Sequence, residues 1–304
     1  MWSQIISLVS THFLVPIAFL AMTSKVSRNK LESLCWLYVT LFYTGFIYLT
    51  GIWDWFGYYV RYAWIAGLAI AAYRVYRNNR RAPWRPARKF TSWANVVFLF
   101  ALGTLFMMMT VGTLYGRTYE GEPLELHFPL KNGTYYVAHG GGSPVVNYHN
   151  EYPPQQYALD IVKLNVWGYR AAGLYPDDLH RYAIYGDRLY SPCRGTVIRA
   201  VDGFDDRAPS DFRNGLPEGT PAAGNHVVIG CGGAEVYIAH MQKGSVRVQA
   251  GDEVDVSSWI GNAGNSGNTS EPHLHIHAEK DGVGVPVTFG GRFPVRNSLI
   301  RSAG

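Results

Sequence analysis

The stretch GNTSEPHLHIHAE, residues 267–279, holds His273, His275 and His277 at every second position. It follows turn-forming residues and a proline, and its alternation is typical of a β-strand. Side chains two residues apart on a strand lie on the same face, about 6.5–7 Å from one another, so the three imidazoles are expected to form one row. The segment therefore predicts either a histidine-rich surface strand or a metal site.

The sequence pattern around this stretch is typical of a mainly-β domain. Short alternating runs are separated by glycine, proline, asparagine and aspartate from residue 117 onward, a pattern that predicts antiparallel strands. The clearest runs are GTVIRAV (195–201), NHVVIG (225–230), AEVYIAH (234–240) and GSVRVQAG (244–251). Residues 203–224 show no periodicity and are expected to form a long surface loop, which is often functional.

Further metal-ligating residues lie upstream of the histidine row. VNYHNEYPPQQYALDIV supplies His149 and Asp160, and VYIAHMQKGS supplies His240 at the end of a predicted strand. Two histidines and one carboxylate that leave a fourth position open form a catalytic zinc arrangement. Cys193 and Cys231 belong to no CxxC pair, which argues against a structural zinc site. Whether these two cysteines form a disulfide is left open by the sequence.

These motifs occur in the order of a known family. SPCRGTVIRAVDG (191–203), GNHVVIG (224–230), YIAHMQKGSVRVQAGDEV (237–254) and IGNAGNSGNTSEPHLHIH (260–277) follow the early histidine and aspartate. Residues 134–290, about half of the chain, thus resemble the M23 zinc metallopeptidases of the lysostaphin or LytM type. The resemblance implies a mainly-β antiparallel sheet domain with a duplicated hybrid motif, one Zn²⁺ per chain and a peptidoglycan endopeptidase activity.

The resemblance also implies roles for individual residues. His149, Asp160 and His275 correspond to the zinc ligands. His273 and His240 correspond to the catalytic histidines that lie beside the metal. We assign His273 as the base and His240 as the residue that stabilises the oxyanion or orients the water, although these two roles could be exchanged. Tyr157 or Tyr237 is a further candidate hydrogen-bond donor.

One departure from the family concerns the first ligand. The compact family motif has three residues between its histidine and aspartate, whereas ten residues separate His149 from Asp160 here. His139, in AHGGGSP, is therefore an alternative first ligand. His277 has no counterpart among the family ligands, and we expect it to lie in the groove or to hydrogen-bond a ligand.

The first 115 residues have a different character, with four apolar stretches of about 20 residues, the length that crosses a bilayer as a helix. They cover roughly 5–22, 33–52, 55–73 and 93–114. The first could be a signal peptide, but it lacks a basic start, and more spans follow it. We therefore predict a four-helix transmembrane bundle over 1–115, a linker over 116–133 and the metallopeptidase domain over 134–304.

Basic residues predict the orientation of this bundle. The segment RVYRNNRRAPWRPARK (74–89) contains no acidic residue, and Lys25, Arg28 and Lys30 follow the first span, so both loops should face the cytoplasm. Residues 116–304 hold 16 Lys and Arg against 20 Asp and Glu, so the basic excess lies at the inner membrane face and gives no support for nucleic-acid binding. Arg61, inside the third span, is expected to snorkel or to reach Asp54.

The sequence therefore predicts a multi-pass inner-membrane protein whose C-terminal domain lies on the periplasmic or extracellular side. Its expected partners are the bilayer, a peptidoglycan or other peptide substrate and a membrane protein that binds the bundle. Two alternatives remain: a catalytically silent wall-binding or activator module, and a transporter or sensor with an accessory outer domain. The spans offer few polar pathway residues, which favours anchoring over transport.

Overall fold

The protein is described by a computed structural model that covers residues 2–25 and 27–303. The chain divides into two compact units. One comprises Met1–Gly51 and Tyr59–Leu114, and the other comprises Ile52–Tyr58 and Tyr115–Gly304. The first unit is helical and the second is mainly β. The short segment Ile52–Tyr58 connects two helices of the first unit in sequence but belongs to the second unit.

The helices lie mainly in the first unit. Their bounds are α1 Trp2–Val9, a π-helical turn Ser10–Leu14, α2 Val15–Thr23, α3 Lys30–Thr50, α4 Trp53–Phe56, α5 Arg61–Asn78 and α6 Phe90–Tyr115. The amide of Glu32 donates to the side-chain oxygen of Asn29 at 2.8 Å, which caps the start of α3. Among the described residues, three helical segments are long and apolar enough to cross a membrane: Ile5–Thr23, Lys30–Thr50 and Phe90–Tyr115. Apolar helices of this length are typical of a membrane anchor.

The third predicted span, 55–73, is not one continuous helix. The short helix α4 ends at Phe56 and is followed by Gly57, whose φ is 91°, and α5 begins only at Arg61. A left-handed residue cannot continue a right-handed helix, so Gly57 breaks the predicted span. Arg61, Arg74 and Arg77 make α5 less apolar than the three segments above, so four spans remain a prediction.

Strands dominate the second unit. Their bounds are β1 Leu124–Leu126, β2 Gly133–His139, β3 Leu159–Leu164, β4 Arg188–Tyr190, β5 Gly195–Val201, β6 Asn225–Cys231, β7 Ala234–Met241, β8 Glu253–Val254, β9 Trp259–Asn262, β10 Leu274–Lys280, β11 Val283–Val285, β12 Val287–Phe289 and β13 Leu299–Ser302. Among the described residues, nine strands form one antiparallel sheet in the order β13-β2-β3-β10-β7-β6-β5-β8, with β11 paired to β10. The predicted mainly-β antiparallel domain is confirmed.

Strand β10, which carries two of the three histidines, lies between β3 and β7 in this sheet. His275 is opposite Asp160 on β3 and opposite Ala239 on β7. Residues directly opposite in an antiparallel pair have Cβ atoms about 5 Å apart. The register thus brings His275 and Asp160 side by side, although 115 positions separate them in sequence.

The alternation of β10 separates the core from the site. Leu274, Ile276 and Ala278 are buried in the main hydrophobic cluster of the domain. His275 and His277 therefore lie on the opposite face of the sheet. Burial of the apolar residues fixes the register, because a slip by one residue would move them all to the wrong face.

The stretch 116–133, expected to be a linker, contains β1, which pairs in parallel with β12. Leu126 on β1 is buried in the core, so this part of the chain is integral to the β unit. Cys193 and Cys231 form a disulfide with Cα atoms 6.0 Å apart, which joins the segment before β5 to the end of β6.

Candidate metal centre

Asp160 is the centre of a buried cluster of nitrogen and oxygen atoms. Its Oδ1 lies 2.9 Å from His275 Nδ1, and its Oδ2 lies 3.0 Å from His149 Nε2. The possible ligand atoms of these three residues all lie within 4.8 Å of one another. Two imidazole nitrogens and one carboxylate oxygen are donors that suit Zn²⁺. The predicted ligands His149, Asp160 and His275 thus come together at one point.

The unusual spacing between His149 and Asp160 is explained by a local turn. His149 lies in a 3₁₀ helix, Tyr148–Glu151, whose cap residue Asn147 accepts the His149 amide hydrogen bond at 3.2 Å. The Asn147 side chain is fully buried and donates to the carbonyls of Gly141 at 3.1 Å and Ala158 at 3.0 Å. Asn147 therefore holds the intervening loop against the start of β3, which returns His149 to Asp160.

Charge balance at this point favours an ionised carboxylate. Burial disfavours the charged form of Asp160, but the charges of His149 and His273 and their hydrogen bonds hold its pKa well below the usual range. Burial lowers the pKa of His275, against the opposing effect of Asp160. An ionised aspartate beside a neutral histidine is the protonation state that metal binding requires.

The two predicted catalytic histidines flank the cluster. His273 Nε2 lies 3.3 Å from Asp160 Oδ1, and its Nδ1 lies 2.8 Å from the carbonyl of Glu271. His240 Nδ1 lies 2.8 Å from the carbonyl of Ser266, and its ring centroid is 5.0 Å from that of His273. In His240 the carbonyl acceptor places the proton on Nδ1, so Nε2 is the nitrogen without a proton. In His273 both ring nitrogens face an oxygen acceptor; burial lowers the pKa of His273, but the Asp160 carboxylate beside Nε2 outweighs burial and raises it.

His240 also has an unusual backbone conformation. Its φ is 59°, a left-handed value that is uncommon for a residue with a Cβ and often found at functional sites. Hydrogen bonds hold it there: its amide donates to Ala223 at 2.9 Å, and its carbonyl accepts from Gly264 at 3.1 Å. His240, His273 and His275 form a second group whose possible ligand atoms lie within 4.8 Å of one another. The two groups share His275.

His277, which the sequence left without a clear role, contacts His275. Its Nδ1 lies 3.0 Å from His275 Nε2. Its ring stacks on Tyr237 with a centroid distance of 4.6 Å and an interplanar angle of 10°. Tyr237 in turn donates hydrogen bonds to Glu235 and Glu279. This chain of contacts fixes the His275 ring with Nδ1 directed at Asp160.

Tyr148 is a site residue that sequence reasoning missed. Its hydroxyl donates to Asp160 Oδ2 at 3.1 Å, and its ring lies against His149 with a centroid distance of 4.0 Å. Tyr148 directly precedes the predicted ligand His149 in sequence, and this position could have indicated that it is a site residue. Of the two tyrosines proposed instead, Tyr237 stacks on His277, while the Tyr157 hydroxyl accepts a hydrogen bond from the Glu120 amide at 3.2 Å.

His139, the alternative first ligand, occupies a different place. Its Nδ1 lies 3.1 Å from Arg296 Nη1, and its ring packs edge-on against Tyr148. It belongs to neither of the two possible ligand groups found among the described residues. His149 is therefore the better first ligand on geometry.

Two clefts adjoin the cluster. The larger, of about 600 Å³, is lined by His149, His275, His277 and Tyr237 among others. The smaller, of about 320 Å³, is lined by Asp160, His273 and Trp55 among others. Tyr148 and His240 line both clefts, so the candidate metal site lies where the two meet.

Comparison with protein families finds one match within the β unit. The model for Peptidase family M23 matches residues 181–287, so this part of the chain is similar to that family. The match includes His240, His273 and His275; it begins after His149 and Asp160, the part of the motif whose spacing departs from the compact form. No curated protein matches the chain significantly.

Solved structures give distant similarities. A zinc-containing peptidase from Vibrio cholerae is 20% identical over 53% of this chain and 35% of that chain, with a TM-score of 0.28. The catalytic domain of lysostaphin from Staphylococcus simulans is 18% identical over 43% of this chain and 82% of that chain, with a TM-score of 0.21. A complex of SpoIIIAH and SpoIIQ is matched with 16% identity over 52% of this chain and 94% of that chain, with a TM-score of 0.34. The chain thus covers about a third of the Vibrio cholerae protein.

Proposed function

We propose that the protein is a membrane-anchored zinc endopeptidase that hydrolyses peptide bonds in the cross-links or stem peptides of peptidoglycan. The observation that carries the proposal is the convergence of His149, Asp160 and His275, with His240 and His273 beside them, in an M23 domain. Of the two possible ligand groups, the one with Asp160 supplies a negative charge to the metal and leaves His240 and His273 for proton transfer.

Zn²⁺ held at this point would act as a Lewis acid toward water and toward the scissile carbonyl. His275 would offer Nδ1, because its Nε2–H is directed at His277 Nδ1 at 3.0 Å. His149 would offer Nε2 and Asp160 its carboxylate. The hydrogen bonds of His277 and Tyr148 orient these ligands, as partners of metal ligands generally do.

Proton transfer falls to His273. The Glu271 carbonyl accepts the Nδ1 proton, so Nε2, on the side of Asp160, is the nitrogen that would exchange a proton once the metal takes up the carboxylate. This nitrogen takes the proton of the attacking water and passes it to the leaving amine. The backbone and Ser266 hold His240 in place, where its Nε2 can orient the water or, once protonated, stabilise the oxyanion.

The helical unit supports a location at the membrane. We propose that its apolar helices make four passes through the inner membrane, with the third formed by α5, and that the basic loops face the cytoplasm. The M23 domain would then face the cell wall. The unit could also bind a membrane protein partner, since its outer faces bear large apolar side chains.

Metal content and cleavage test the proposal together. The purified full-length protein should hold one zinc per chain and release muropeptides from purified peptidoglycan, and a chelator should abolish the release. His275→Ala should lose zinc and activity, whereas His180→Ala, which removes an exposed histidine far from the motif, should retain both. Equal zinc content in wild type and His275→Ala would refute the ligand assignment. Wall binding that survives zinc removal, without any cleavage by the wild type, would instead indicate a binding or activator module.

A further inference from the structure

The segment Ile52–Tyr58 is an integral part of the β unit. Trp53 is fully buried, and its amide donates to the Tyr136 hydroxyl at 3.3 Å. The Tyr58 amide donates to the carbonyl of Gly168 at 2.9 Å. A Cβ added at Gly57 would lie 3.1 Å from the ring of Tyr169, so the backbone itself packs closely here. This segment is held in place by side-chain burial and by backbone hydrogen bonds at both ends.

A buried ion network ties the segment to the loop that precedes His273. Arg170, with only 1% of its side chain exposed, lies 2.7 Å from Glu271 Oε2 and 3.7 Å from Asp54 Oδ2. The Arg170 amide also donates to the Asp54 carbonyl at 3.1 Å. Burial raises the pKa of the Asp54 carboxyl to about 6, against the effect of the Arg170 charge. Asp54 and Glu271 also line the smaller cleft, where Arg170 pairs with both carboxylates.

Trp55 is the side chain that the segment presents. The Arg170 guanidinium lies over its ring at 3.9 Å from the centroid, and Tyr175 stacks on it at 5.7 Å. The Tyr175 hydroxyl donates to the Ser270 carbonyl at 2.9 Å, which links the stack to the loop before His273. Trp55 is only partly buried, and it lines the smaller cleft.

Trp55 lies in the same cleft as the candidate catalytic residues. Ile52 and Trp55 line the cleft of about 320 Å³ that also contains Asp160, His240 and His273. A peptide bound in this cleft would therefore lie beside the indole. Trp55 is also held by contacts to Arg170 and Tyr175, so it would bind with little loss of conformational entropy.

We propose that the segment Ile52–Tyr58 is a wall of the substrate cleft and that Trp55 is a specificity-determining residue, which contacts an extended peptide on one side of the scissile bond. This inference rests on the proposed peptidase function. Aromatic side chains supply large, rigid contact areas for such a chain. The same segment connects α3 to α5 in sequence.

Binding and cleavage by the full-length protein in detergent test the inference. The probes are a soluble cross-linked muropeptide dimer and its uncross-linked monomer. Binding is measured on the zinc-loaded His273→Ala variant, which keeps the probe intact, and cleavage is measured on the wild type. Trp55→Ala and Trp55→Phe are introduced into each of these two parent proteins and compared with it. Trp167→Ala is the matched control, because Trp167 is 75% exposed and lines neither cleft.

Trp55→Ala should raise the Kd and the KM for the dimer about tenfold, the effect expected of one aromatic contact. Zinc content should not change. Trp55→Phe should restore most of the affinity, and Trp167→Ala should match the parent protein. If Trp55→Ala fails to fold, Ile52→Trp provides a second test. This substitution narrows the smaller cleft while it leaves the contacts of Trp55 with Arg170 and Tyr175 in place, and it should weaken binding of the dimer.

The outcomes separate this inference from the proposed function. Cleavage by the wild type with an unchanged Kd and KM in Trp55→Ala and Ile52→Trp would overturn the role of the wall and leave the peptidase in place. Binding without cleavage would overturn the peptidase, while the Trp55 comparison would still decide whether the segment lines the cleft. If neither muropeptide binds the parent protein, the inference is overturned.

Discussion

Arg170 donates to the carboxylate of Glu271 at 2.7 Å, in a position where the arginine side chain is almost completely buried. Glu271 precedes His273 by two residues, and its own carbonyl lies 2.8 Å from His273 Nδ1. The same residue thus anchors a buried charge network through its side chain and orients the candidate base through its backbone. A change at Arg170 should therefore affect both stability and the site.

Arg170→Gln should reduce the free energy of unfolding by about 3–5 kcal/mol, because it leaves Asp54 and Glu271 without their buried counter-charge. Thermal unfolding of the full-length protein in detergent measures the loss. Arg170→Lys should rescue little, since an ammonium cannot reproduce the guanidinium fork and its stacking on Trp55. Arg301→Gln, at an exposed strand position, is the control. An unchanged melting temperature in Arg170→Gln would show that the network contributes no stability.

His277→Ala should lower zinc affinity roughly 10- to 100-fold, the usual effect of removing the partner of a metal-bound histidine. The ligand set stays intact, so zinc should still bind at saturating concentration. Competition with a chromophoric chelator measures the affinity. His127→Ala, which alters an exposed histidine, should not change it. An unaltered affinity in His277→Ala would mean that the contact with His275 does not orient the ligand.

His273→Ala should retain zinc and lose turnover by roughly 10²- to 10⁴-fold, because the reaction would lack its general base. Metal analysis and muropeptide release, measured on the same preparation, distinguish this outcome from ligand loss. His240→Ala should retain zinc as well, since His240 belongs to the group that we do not assign as ligands. Full activity in His273→Ala would remove it from the mechanism.

The metal-free protein should lose stability as the pH falls below about 6.5, and His139 should contribute to this loss. Burial and the nearby Arg296 charge lower the pKa of His139 to about 3 in the folded protein. The unfolded chain takes up this proton near pH 6.5, so only the unfolded state gains from protonation between those values. The stability from a neutral His139 is therefore complete above pH 6.5 and declines toward pH 3.

His139→Asn isolates this effect, because the other buried histidines are the same in both proteins. Between pH 8 and pH 5, the wild type should lose up to about 2 kcal/mol more than the variant. Thermal unfolding in the presence of a chelator, at several pH values, measures the difference. Parallel curves for the two proteins would show that His139 takes up its proton equally well in the folded state.

Local sequence patterns were sufficient for the elements of the fold and for part of the site. Alternating apolar residues predicted the strands, and the spacing of His273, His275 and His277 predicted a shared row near a metal. Long apolar runs predicted the helices that could cross a membrane. Such features follow from the periodicity of a strand or a helix, which the nearest residues along the chain determine.

The break in the third predicted span, the place of the expected linker in the fold and the candidate metal site depended on tertiary structure. Gly57 interrupts the third predicted span, and β1 pairs with β12 inside the expected linker. Asn147 returns His149 to Asp160, and the β3–β10 register places His275 beside them. The segment Ile52–Tyr58 joins the β unit through Arg170. Each of these outcomes depends on contacts between residues far apart in sequence. By itself, the sequence determined which side chains were available for a metal and a substrate; their meeting at one cleft was decided by long-range packing and strand register, which no local period encodes.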